Sequence, residues 1–109
     1  MRVWDLSPRR LCRPHLLGEH REIHALWSIL TKGKKGYSHH PETVRWRKAL
    51  KALFNRHERI AAEMSRRDYR HRSPLDPRKA VGRRTPPYFV DTPQRQRILL
   101  KKKKCGCRV

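Results

Sequence analysis

The segment His15-Leu-Leu-Gly-Glu19-His-Arg21-Glu22 gathers most of the residues in this chain that could do chemistry. At about 100° per residue of helix, His15, Glu19 and Glu22 fall along one line of the surface. That line flanks an apolar stripe of Leu16, Ile23, Trp27 and Leu30, so its members can be half-buried and still reach a cleft. A carboxylate so placed can exchange a proton with a substrate or stabilise positive charge that develops on it. The plainer alternative is that Glu19 and Glu22 pair with neighbouring arginines, as helix acids commonly do, and periodicity alone favours it.

Two further groups invite a metal. His20 and His24, four apart, could be half of a zinc site completed by Cys105 and Cys107. His20 lies on the apolar stripe, however, and no four-ligand set of familiar spacing appears. A packed core or interface histidine is the better expectation, and no metal or cofactor is expected. The Cys105-Gly-Cys107 tail could bind a soft metal or form a redox pair, but reads better as a disordered tail. Three cysteines, an odd number without framework spacing, point to a reducing cytoplasm and away from a disulfide-stapled secreted fold. Trp4, Trp27 and Trp46 could stack on bases; Trp27 reads as core, and Trp4 as the one nearest a ligand.

The elements that must position these residues are helical. The 109 residues suit one domain, and 36% hydrophobic against 35% charged residues leaves only a thin core. No stretch alternates apolar and polar residues over the length of a strand. Ser7-Pro8 opens a short turn, and a first helix is predicted from about Pro14 to Leu30, stopping near Lys32-Gly33. A basic loop, Lys34 to His40, leads to a second helix from Pro41 to about Arg67. Its buried face is Val44, Leu50, Leu53, Phe54, Ile60, Ala61 and Met64, with Arg45, Arg47, Lys48, Lys51, Arg56 and Arg59 on the other faces. Arg70 to Pro87 reads as loop. Thr92-Pro93 starts a third helix through Ile98 and Leu100 into Lys101 to Lys104. The fold class is therefore all-α: a single compact domain over residues 1–100, of about three helices with irregular connections, and a mobile basic tail over 101–109.

Lys and Arg total 29 against 9 Asp and Glu, a formal net charge of +20. Such a field is useful only beside a polyanion, and nucleic acid is the default, because each neutralised phosphate releases counterions. A membrane surface competes poorly: the sequence holds no apolar run long enough to span a bilayer and no signal-peptide core.

The pattern His15, Leu16, Glu19, Arg21, Glu22 close to the N-terminus resembles the first helix of the phage pyrimidine-dimer DNA glycosylases with abasic-site lyase activity. The resemblance continues in Met1-Arg2-Val3-Trp4 and, more loosely, in Lys35-Gly36 and Glu63-Met64-Ser65-Arg66-Arg67, covering residues 1 to about 70. It implies a helical domain that kinks damaged double-stranded DNA and turns a base out of the stack. It implies further that the α-amine of Met1 forms an imine with the sugar, that Glu22 promotes glycosyl cleavage and the following proton transfers, and that Arg2, His15 and Arg21 grip phosphate and sugar. Glu19 would act through helix orientation or a salt bridge. A monomer in the cytoplasm, associated with the nucleoid, is expected.

Elementary chemistry agrees with an amine at the terminus. An unperturbed α-amine titrates at about 7.7–8.0 and lysine near 10.4, and a dense positive field disfavours the protonated amine further. The departures are specific. Arg2 is too bulky for methionine removal, so Met1 is expected to be retained; Ala25 stands where the phage pattern has a second arginine; Pro14 replaces a polar residue; and only Tyr88-Phe89 stands in for an aromatic C-terminal segment. Two rivals stay open: a non-catalytic nucleic-acid-binding protein, for which charge alone suffices, and the same scaffold acting on another lesion.

Overall fold

A computed structural model describes residues 2–70, 73–86 and 88–109. Its first long helix, α1 (Arg13–Lys32), carries proline in its first turn, where the missing N–H costs nothing, and ends at Gly33 in the left-handed region, φ 64°. The predicted helix over 14–30 is thus present and slightly longer. The expected Ser7-Pro8 turn is a 3₁₀ turn over Pro8–Arg10. The last helix, over Pro93–Lys102, starts as predicted, with the Thr92 hydroxyl accepting from the Arg95 N–H.

The second predicted helix is two. α2 (Pro41–Trp46) and α3 (Leu50–Arg66) are separated by Arg47-Lys48-Ala49, with Lys48 at φ 65°. The cause lies far along the chain. Lys48 O accepts from Arg83 N at 2.9 Å, while Lys51 N and Ala52 N at the start of α3 donate to Val81 O and Arg83 O at 2.9 and 3.0 Å. The segment 81–83 therefore supplies the carbonyls that the first turn of α3 needs. Gly82, at φ 88°, crosses so close that a Cβ would stand 2.4 Å from Lys48 O. The region read as plain loop also holds a 3₁₀ turn over Pro77–Lys79 and an isolated bridge between Ala49 and Gly82. α4 (Pro93–Lys102) completes the helices, and no strand occurs among the described residues.

Leu16, Ile23 and Leu26 of α1 meet Leu53 and Ile60 of α3 in the centre, joined by Val3, Leu6, Leu11 and Leu100. Three expectations about faces are corrected. Val44 is exposed, because α2 is too short to carry the face predicted for a continuous helix. Arg45 and Arg56, expected on basic outer faces, are buried at 1% and 6% exposure, because each turns inward to a carboxylate.

Those buried ions have a common purpose. Residues 2–6 run through the core outside any helix or strand, so their backbone groups must be satisfied otherwise. Val3 N donates to Glu42 (3.3 Å), Trp4 N to Glu19 (3.2 Å) and Asp5 N to Gln96 (2.7 Å). Val3 O and Leu6 O accept from Arg45 (3.5 Å) and Arg56 (2.7 Å). Every one of these side chains is buried. Polar side chains from α1, α2, α3 and α4 thus replace a β-ladder and fix the N-terminal segment.

Past α4, Cys107 and Val109 pack against the core, and Arg108 N donates to Arg10 O at 2.7 Å. No helix among the described residues is long and apolar enough to cross a membrane.

Candidate active site

The fixed N-terminal segment and α1 enclose a cleft of about 180 Å³, lined by Arg2, Trp4, Pro14, His15, Gly18, Glu19, Glu22 and Lys103. The helical line of His15, Glu19 and Glu22 read from the sequence therefore lines one cleft, which Arg2 lines as well. Met1 lies outside the described residues.

The two glutamates differ sharply. Glu19 is fully buried and takes a two-pronged ion pair from Arg56, Nε at 2.6 Å and Nη2 at 3.0 Å, besides the Trp4 N–H. Burial pushes its carboxyl above the usual range, with Arg56 pulling the other way. The ion-pair alternative weighed for both glutamates holds for Glu19, whose acceptors are all engaged in holding the frame. Glu22 is half-buried, and no described residue pairs with its carboxylate. It also lines a second, larger cleft of about 510 Å³ with Ala25, Ser28, Ile29, Lys34, Gly36 and Tyr37. An uncommitted carboxylate at the junction of two clefts, in a protein of charge +20, can accept or give a proton.

Arg2 lies over the Trp4 ring, 5.0 Å from its centroid, and pairs with Asp91 at 2.7 Å. His15 stands edge-on to Trp4, ring centroids 5.9 Å apart; burial, with Lys103 nearby, holds its imidazole below the ordinary value. Arg21 does not line the cleft: it is exposed on α1, its guanidinium 3.9 Å from where a Cβ on Gly18 would stand. Trp4, picked out as the tryptophan nearest a ligand, is 6% exposed and walls the cleft with its indole; Trp46 is buried as well, and Trp27 is core as expected. Tyr88 and Phe89 are exposed.

Sequence reading missed Lys103, which reaches the cleft from the end of α4, some eighty positions from Glu22; no local pattern could announce it. The histidines pack together, in keeping with the packed-histidine reading and away from a zinc pairing with Cys105 and Cys107. His20 and His24 join the buried His57 in a three-ring cluster, centroids 4.6 to 5.3 Å apart. Cys105 and Cys107 meet Cys12 and His15 instead.

A family model for pyrimidine dimer DNA glycosylase matches residues 1–77. The chain belongs to that family. Membership makes it a DNA glycosylase of DNA repair, a DNA-binding enzyme, and sets this above the non-catalytic binder. No curated protein and no solved structure matches the glycosylase significantly. The matched span contains α1 to α3, the whole polar frame except Gln96, and Met1, Arg2, His15, Arg21 and Glu22; α4 and Lys103 lie beyond it.

Proposed function

We propose that this glycosylase excises pyrimidine dimers and nicks the resulting abasic site through an imine on its own α-amine. The observation that carries the reading is the Glu22 carboxylate, half-buried on the cleft that Arg2 also lines and paired with no described residue. The Met1 amine attacks C1′ of the damaged nucleotide as the glycosidic C–N bond breaks and the base departs with the electron pair. Glu22 stabilises the positive charge at the sugar, takes the amine proton and returns it to O4′ as the C1′–O4′ bond breaks and the C1′=N imine forms. Loss of a C2′ proton then expels the 3′ phosphate, and water hydrolyses the imine. Arg2, His15 and Arg21 hold phosphate and sugar, the two arginines as cations and His15 as a hydrogen-bond donor. Damaged double-stranded DNA is the substrate.

Borohydride trapping tests this. Reaction with dimer-containing or abasic duplex in borohydride should leave a covalent protein–DNA adduct that peptide mapping finds at Met1. Acetylating the terminus should abolish trapping and nicking while DNA affinity persists. Glu22→Gln should lose glycosylase activity and still bind lesion DNA. An adduct on a lysine would overturn the role of Met1, and no adduct with a free terminus would overturn the imine chemistry itself.

A further inference from the structure

Four sulfur and nitrogen ligands converge where the C-terminal segment meets the start of α1. Cys12 is the N-cap of α1, and His15 lies one turn on, on the same side. Beyond α4 the chain turns at Lys104, φ 48°, and brings Cys105 and Cys107 back against them. The four donor atoms all lie within 4.8 Å of one another. Cys12 Sγ is 3.0 Å and Cys107 Sγ 3.4 Å from His15 Nδ1. Bond lengths of about 2.3 Å for zinc–sulfur and 2.0–2.1 Å for zinc–nitrogen make the edges of a tetrahedral site roughly 3.5–3.8 Å, so only small shifts separate this cluster from that geometry. No disulfide joins the cysteines, and each is half-buried. We propose that Cys12, His15, Cys105 and Cys107 form a tetrahedral zinc site that fastens the C-terminal segment to the head of α1.

Three thiolates and one imidazole suit zinc, a borderline-soft ion without redox chemistry. With four protein ligands the coordination shell is closed, which makes the site structural. The outer shell fits too: Cys12 N donates to Cys107 Sγ at 3.1 Å, the kind of contact that steadies a metal-bound thiolate. Three thiolates and Zn²⁺ carry a net charge of −1, and Arg13 and Arg108, which share a cleft with Cys12, would offset it. A disulfide would use two of these cysteines and leave the third and the histidine without purpose. The metal uses all four.

The consequence reaches the active-site cleft. His15 ligates through Nδ1, which leaves Nε2–H as a fixed donor, and Lys103 stands two residues before the ligand Cys105. Cys12 and His15 lie within the span matched by the family, and Cys105 and Cys107 outside it.

The test needs no enzymatic readout. Protein purified under reducing conditions should retain equimolar zinc by mass spectrometry. Cobalt(II) titrated into the chelated protein should give tetrahedral ligand-field bands with sulfur-to-cobalt charge transfer, saturating at equimolar metal. The double variant Cys105→Ser/Cys107→Ser should lower zinc affinity by more than the roughly 10- to 100-fold that loss of an outer-shell partner costs. Should that variant misfold, maleimide labelling of the wild type decides: zinc should protect all three thiols and a chelator should expose them. Metal-free protein with freely reacting thiols, a disulfide after reducing purification, or cobalt bands without sulfur charge transfer, as binding at His20, His24 and His57 would give, each overturns the proposal.

Discussion

Replacing Glu19 by glutamine should unfold this protein far more readily than the same change at Glu22, although the two lie three residues apart on one helical line. Arg56 is 6% exposed and directs two of its donors at the Glu19 carboxylate and one at Leu6 O. Glutamine keeps one acceptor but puts an amide donor against a guanidinium donor, and it leaves the buried arginine without a counter-charge. Removing one partner of a buried pair costs about 3–5 kcal/mol, a large share of the roughly 5–15 kcal/mol that holds a domain together. At about 4–8 °C per kcal/mol for a domain of this size, the lower figure lowers Tm by roughly 12–24 °C. Glu22→Gln, at a half-buried carboxylate with no described partner, should stay within about 0.5 kcal/mol of the wild type. Thermal melts followed by circular dichroism give both numbers. A cycle with Arg56→Met should show the double variant losing less than the sum of the singles, by about 1 kcal/mol or more. If Glu19→Gln melts beside the wild type, or the cycle is additive, the buried pair does not hold the N-terminal segment.

Three more outcomes are expected. Gly82→Ala should destabilise by at least about 2 kcal/mol, since φ 88° is unfavourable for alanine and its Cβ would sit 2.4 Å from Lys48 O; a urea melt with an unchanged midpoint would refute the close approach. The Arg66 guanidinium, with Arg67, holds the Glu63 carboxyl down to about 2 from its ordinary 4.5. Because the folded value is depressed, its contribution is complete above about 4.5 and is lost as the pH falls towards 2; the stability gap between wild type and Glu63→Gln should close over that window and stay constant above it. Affinity for undamaged duplex should fall roughly 10³-fold between 50 and 200 mM salt if about six phosphates are neutralised, and a flat salt profile would remove the electrostatic basis of binding.

The sequence by itself determined the helical class, the limits of α1, the start of α4, and the line that carries His15, Glu19 and Glu22. These follow from rules that act over a few residues: a period of 3.6, proline in a first turn, glycine at a left-handed cap. Charge pointed to a polyanion just as directly, because net charge is a sum and needs no coordinates. Periodicity could not separate Glu19 from Glu22; only the family resemblance gave them different roles. Both are acids on one edge of one helix, and only the approach of Arg56 from α3 and of the Trp4 backbone commits Glu19 to the frame while leaving Glu22 at the cleft. Arg45 and Arg56 looked like solvent-facing basic residues for the same reason: helical periodicity gives a side chain's direction and says nothing of a distant carboxylate that draws it inward. The break between α2 and α3 was hidden because residues 81–83 impose it from more than thirty positions away. Lys103 at the cleft, and the meeting of Cys12 and His15 with Cys105 and Cys107, depend on α4 folding back to the head of α1. Such contacts are decided by how the whole chain packs, and no spacing along the sequence encodes them.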